Sequence, residues 1–234
     1  MNTGRIMAIF EKDLKEFTRN MMLFTTILLP IFLAFMYSRM GDGEAALPAM
    51  LVYLIVGVAF SAILCSGIMT MMAEENEKNT LRGLIQSPAS MMDILIGKSL
   101  VVTLMTAASL TAAFLLMNAA LEWSVASIGA LLLLALFFLN VGIAVGLTVD
   151  SVATTSVYLL PIMFIFGFTP MVEIVVPEPD HFVRQITDYL PLYQNIAIHD
   201  GETVVPLLIL AAWTLASFLY VTWAFRKRMS DEAK

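Results

Sequence analysis

Charge is confined to islands in this chain, and six uncharged runs lie between them: residues 20–38, 45–73, 99–121, 123–149, 151–172 and 203–225. The shortest holds 19 residues and the longest 29. A bilayer's hydrocarbon core is about 30 Å thick, and roughly 20 apolar residues cross it as a helix. Six such runs in 234 residues leave little chain for anything else. The pattern predicts an all-α, polytopic membrane protein, one transmembrane domain over residues 1–234. Its six spans fall at about 20–38, 48–73, 97–119, 125–148, 152–172 and 204–225.

Charged residues make up only 14% of the chain, against about 25% in soluble domains. That excludes a soluble domain of any size. Residues 1–19 are charged and have no apolar core or small-residue cleavage site, so no cleavable signal peptide is expected. The single cysteine, Cys65, lies inside the second run and reads as a small buried apolar residue. The 17 methionines fall mostly in the apolar runs and read as adaptable packing rather than a soft-metal path.

Lys and Arg collect on the cytoplasmic side of short membrane loops. Arg5, Lys12, Lys15 and Arg19 precede the first run. Lys78, Arg82 and Lys98 lie between the second and third, and Arg226, Lys227, Arg228 and Lys234 follow the sixth. If all six runs cross, these share one side and hold 11 of the 13 basic residues. Only Arg39 and Arg184 fall on the other. Both termini are therefore expected to be cytoplasmic, with a tight cytoplasmic hairpin around Asp150 and acidic outer segments.

Between the spans, three pieces carry information. Residues 4–19 form an amphipathic stripe, with Ile6, Ile9, Phe10, Leu14 and Phe17 at helical spacing, and are expected to lie in the headgroup plane. Pro30 is expected to kink the first span. Residues 173–202 are too apolar for a free loop. They predict two short external helices, about 180–189 and 192–199, broken at Pro191 and resting on or dipping into the outer leaflet. The segment 74–96 reads as a helix with the stripe Leu81, Leu84 and Ile85, a break at Ser87-Pro88, and a new helix. Ser90 and Asp93 form a capping-box-like start for that helix. A half-apolar helix facing the cytosol is a candidate docking surface.

Other signals are weaker. Gly142 and Gly146 have the spacing that lets two membrane helices approach, in a dimer or within the bundle. The hydroxyls Ser151, Thr154, Thr155 and Ser156 read as internal packing between helices. Gly97-Lys98-Ser99 matches the tail of a phosphate-binding loop, but Met92 stands where the pattern needs its first glycine. Lys98 is expected to snorkel at the inner interface. His181 and His199 lie beside Asp180 and Asp200, too few ligands for a zinc site. With no charge inside any run, neither an ion-coupled carrier nor a channel with a charged ring finds its groups. A membrane enzyme lacks a catalytic cluster.

The segment from Glu74-Glu75-Asn76-Glu77-Lys78 through Thr80-Leu81 and Ser87-Pro88-Ala89-Ser90 to Gly97-Lys98 resembles the membrane permease subunit of ABC-2-type exporters, the type V ABC transporter architecture. The resemblance extends over nearly the whole chain. It implies that Glu75, Thr80, Leu81, Leu84, Ile85, Ser87 and Pro88 belong to a coupling segment that docks on a separate ATP-binding subunit. It also implies that Ile6, Phe10, Leu14 and Phe17 belong to an interfacial helix. The expected partners are that ATP-binding subunit, a second permease copy or paralogue, and membrane lipids, with no nucleic acid. ATP and Mg would sit on the ATPase and no cofactor on this chain, which would be no enzyme itself. The setting implied is the plasma membrane of a prokaryote, and the short external region favours a small or amphiphilic cargo. The competing readings are an autonomous channel or secondary transporter and a non-transporting sensor subunit.

Overall fold

A computed structural model describes residues 2–39, 48–78, 90–119, 124–178 and 180–232. Among these residues the chain is helical and contains no strand, as the uncharged runs predict. Five helices are long and apolar enough to cross a membrane, and a bent pair makes a sixth crossing if counted as one.

Helix α1 (Thr3–Arg19) starts at Asn2, whose side chain accepts from the amides of Gly4 and Arg5. It ends at Asn20, which also caps α2 (Met21–Ser38) by accepting from the amides of Met22 and Leu23. One extended residue therefore joins the amphipathic helix to the first span. Helix α2 continues through Pro30, which is buried.

Helix α3 (Ala49–Glu77) is the axis of the fold. It is apolar on every side, a composition that suits an enclosed helix and a lipid-facing span alike, and packing decides between them. Its most apolar stretch is 94% buried, against 17% for α2 and for the last span. Helix α4 (Met91–Met117) packs with α2 on one side of α3. Its start is the expected capping box, with Ser90 and Asp93 exchanging hydrogen bonds. On the other side α5 (Val125–Thr148) packs along α10 (Val204–Glu232).

Phe24, Leu28, Phe32 and Phe35 of α2 and Leu208, Leu215 and Phe218 of α10 remain exposed, forming the apolar belt that faces lipid. Some polar groups inside the bundle pair across helices. Ser109 donates to the Ile27 carbonyl at 2.8 Å, and Asn140 bonds Ser217 at 3.1 Å. The hydroxyls that the sequence offers for such contacts in the fifth run do not make them. Thr155 and Thr169 close onto carbonyls of their own helix.

Helix α6 (Val152–Gly167) does not run straight to residue 172. It bends by 59° into a 3-10 turn, Thr169–Met171, and a short α7 (Val172–Val175). Pro170 is the reason: it restrains Thr169 and cannot donate to the helix ladder. Where α6 meets α3 both helices widen into π turns, Met163–Gly167 and Phe60–Cys65. The backbones touch at two glycines. A Cβ on Gly167 would lie 2.5 Å from Ser61 Oγ, and one on Gly57 would strike the Gly167 carbonyl. Ser61 also donates to the Gly57 carbonyl at 2.8 Å, within the stretch that the π turn loosens.

The two short helices of the 173–202 stretch are α8 (Phe182–Thr187) and α9 (Pro191–His199). Pro191 opens α9 rather than merely separating the pair, a position where its missing N–H costs nothing. Helix α9 does not rest on a surface. Leu192, Gln194 and Asn195 are buried, and α9 packs against α3, α5 and α10. Its loose backbone is satisfied by protein: Trp213 donates to the Tyr189 carbonyl at 2.8 Å, and Gln194 to that of Asp188.

Candidate functional site

The run Glu74-Glu75-Asn76-Glu77-Lys78 ends α3 at the basic end of the bundle, where Asn2 before α1 and Arg228 of α10 also lie. Three of its side chains, Glu75, Asn76 and Glu77, reach other elements. Glu75 reaches Lys98 of α4 at 2.8 Å, and Lys98 also bonds Asp13 of α1 at 3.0 Å. Lys12 approaches the same two carboxylates, at 3.4 Å from Asp13 and 3.5 Å from Glu75. Asn76 donates to the carbonyls of Gly146 and Val149, closing the end of α5, and accepts from Arg228 of α10. Glu77 accepts from the amide of Val152, which starts α6. Glu74 pairs with Lys78.

The ion cluster is buried. Lys98 is 2% exposed and Asp13 is fully enclosed, so the lysine does not snorkel as the sequence reading expected. The reason is the close approach of α1. Gly97 lets it in, since a Cβ there would lie 2.7 Å from Ile9 Cγ2. With α1 seated, Lys98 points at Asp13 rather than at water. The two buried carboxylates face the buried Lys98 and the half-exposed Lys12, so the charges balance formally, as burial of charge requires. Burial disfavours the Lys12 ammonium, but Asp13, Glu75 and Glu16 outweigh it and hold its pKa above the ordinary lysine value.

This arrangement accounts for several sequence-predicted residues. Ile6 and Phe17 are buried and Phe10 and Leu14 half-buried, so the apolar stripe of α1 packs on the bundle more than it faces lipid. Phe17 lies beside Gly67 of α3. Glu75 turns inward and pairs with Lys98 and Lys12. Thr80, Leu81, Leu84, Ile85, Ser87 and Pro88 lie outside the described residues. Both roots of their segment, however, are tied to α1. One root is held by Glu75 through Lys12, Lys98 and Asp13. The other is held by Lys98 and by Asp93, which accepts from the Asn2 amide at 3.2 Å.

Gly142 and Gly146 meet α3 within this chain and not a second copy. Cβ atoms on them would lie 2.5 Å from the Cys65 carbonyl and 2.8 Å from Met72 Cβ. Sequence reasoning passed over Asp13. The signal was present, because residues 6, 10, 13 and 17 share one helix stripe and a carboxylate in an apolar stripe needs a partner.

Elsewhere the candidate groups stay apart. His181 accepts from the Val183 amide through Nδ1, and His199 packs edge-on to Tyr53. Among the described residues no group of three His, Cys, Asp or Glu side chains could hold a metal. The carboxylates around Lys98 fill its surroundings and leave no opening for the phosphate that Gly97-Lys98-Ser99 evokes.

A family model described as ABC-2 family transporter protein matches residues 40–223, most of the chain. The chain belongs to the ABC-2 transporter family. Comparison with curated proteins gives no match. As an ABC-2 permease it is a membrane component of an ABC transporter, a class that is generally non-enzymatic. Its bundle of apolar helices fits that place, and its most heavily bonded polar cluster stands at the two roots of residues 79–89.

Proposed function

We propose that this permease forms the translocation path of an ATP-binding cassette exporter, as a dimer driven by a separate ATPase that docks on residues 79–89. The observation that carries the reading is the tethering of both roots of that segment to α1, α4 and the ends of α5 and α10. A push on a segment so rooted displaces five helices together, whereas a free loop would absorb it. Leu81, Leu84 and Ile85 supply the apolar face for docking, and Ser87-Pro88 ends it. ATP and Mg belong to the partner subunit. The basic residues at this end support a cytoplasmic side for it and for both termini, and the family resemblance supports the plasma membrane of a prokaryote as the setting.

The test is co-purification of the full chain with an ABC ATPase encoded beside it, followed by ATP hydrolysis measurements in liposomes. A double variant, Leu81→Asp with Leu84→Asp, is expected to lose the ATPase while keeping the permease's thermal unfolding profile. Unchanged association in that variant overturns the docking assignment.

A further inference from the structure

Outside the buried ion cluster, the other face of α1 forms one wall of a cleft of about 580 Å³. Lys12, Lys15, Glu16, Arg19, Asn20 and Glu74 line it. Its carboxylates are already engaged: Glu74 with Lys78, and Glu16 with Lys12 and Lys78 at 3.9 Å each. Lys15 and Arg19 enter no ion pair among the described residues and are exposed. The cleft therefore offers positive charge with no internal anion to consume it.

Two further observations give that charge a ligand. The cleft contains Asn20, the cap of α2, and the first turn of that 18-residue helix carries no acidic residue. The amides of Met22 and Leu23 are taken by Asn20, so the start of α2 adds the positive end of its dipole to Arg19 and Lys15 but no free first-turn donors from these two. Immediately beyond it, Met21, Met22 and Phe24 are 72%, 47% and 40% exposed and begin the lipid-facing side of α2. An occupant of this cleft has an anionic head beside an apolar wall. Because the Lys98 cluster clamps α1, the cations are presented at fixed positions rather than on a loose leader.

We propose that the cleft binds the phosphate of an anionic phospholipid, with Lys15 and Arg19 holding the headgroup, the dipole of α2 adding to their charge, and an acyl chain lying along Met21 and Phe24. Recognition is electrostatic, about the strength that interfacial basic residues supply to anionic lipid. It does not depend on the nature of the exporter's cargo or ATPase.

The experiment uses the purified full chain in micelles, titrated with phosphatidylglycerol or phosphatidylcholine and read by native mass spectrometry and thermal unfolding. The wild-type protein is expected to retain one phosphatidylglycerol in preference to phosphatidylcholine. Lys15→Gln with Arg19→Gln should weaken that preference about tenfold or more, the order set by removing two interfacial cations. Lys15→Arg should keep it. Arg226→Gln with Lys227→Gln, which removes the same charge elsewhere at this end, should also keep it. Retained preference in the Lys15/Arg19 variant overturns the site, and equal loss in the Arg226/Lys227 variant reduces it to a general surface field. Competition by inorganic phosphate at matched concentration overturns the lipid as occupant and assigns a soluble anion. Unfolding in phosphatidylcholine checks that each variant is folded.

Discussion

Lys98 Nζ lies 2.8 Å from the Glu75 carboxylate and 3.0 Å from that of Asp13, in a place that water scarcely reaches. Three helices distant in sequence therefore share one proton-rich nitrogen. Such a cluster costs desolvation to form and is weak evidence for stability as a whole, yet losing one member leaves the rest uncompensated.

Lys98→Met should accordingly destabilise the protein by about 3–5 kcal/mol, the usual cost of an orphaned buried charge. The triple variant Asp13→Asn, Glu75→Gln, Lys98→Met should recover much of that loss. Unfolding in mixed micelles measures both. A triple variant no more stable than Lys98→Met would show that the cluster's charges are not what holds α1.

Helix approach gives a second expectation. Gly142→Ala and Gly146→Ala place a methyl against the α3 backbone and Met72, and overpacking of this kind costs about 1–3 kcal/mol. Gly129 has nothing within 4 Å of its missing Cβ. Gly129→Ala should therefore be neutral or gain up to about 1 kcal/mol from helix propensity. Thermal unfolding of the three variants side by side separates them.

Asn76 satisfies two carbonyls at the end of α5 and accepts from Arg228. Asn76→Ala removes those bonds and should cost about 1–3 kcal/mol. Hydrogen exchange should rise in residues 146–152 before it rises elsewhere, and uniform protection across the chain would contradict the assignment.

At the opposite end, burial first and Glu173 second push the Tyr193 phenol well above the ordinary tyrosine value, while Arg184, donating to it at 2.8 Å, works the other way. A raised pKa in the folded state favours the neutral phenol. Its contribution to stability is complete below about pH 10, the unfolded value, and is lost as pH rises through the higher folded one. Ultraviolet difference spectra of wild type against Tyr193→Phe should show no phenolate from Tyr193 at pH 11 while the protein is folded. A phenolate signal there would place the phenol in water.

Much of the frame was legible in sequence because membrane spans obey one dominant rule. Length and lack of charge located the helices, and Ser90 with Asp93 marked the start of α4. Contacts between helices obey no such rule. Nothing in the composition of α3 distinguishes it from α5 until the other helices enclose it. Gly57 and Gly167 sit in separate runs without a spacing motif, so their meeting could not be read. Asp13 and Lys98 are 85 positions apart; Lys98 looked like an ordinary boundary charge and Asp13 was passed over. Only the seat that Gly97 offers to α1 turns them into a pair. The bend after Gly167 is a middle case: Thr169-Pro170 announced it, but the apolar run continued past it and concealed the stop.

The π turn at Phe60–Cys65 has a consequence for helix α3 as a whole. A π turn carries one residue more than an α turn, and one residue corresponds to about 100° of rotation about the axis. The two halves of α3 are therefore out of phase, the upper one turned to α9 and the lower one to α5. Removing a single residue between positions 60 and 65 would bring the halves into phase. It would swing Glu75, Asn76 and Glu77 together away from Lys98, Gly146 and Val152 without touching any of them. The angular setting of the basic end is thus written about 20 Å of apolar helix away, in a stretch that carries no charge at all.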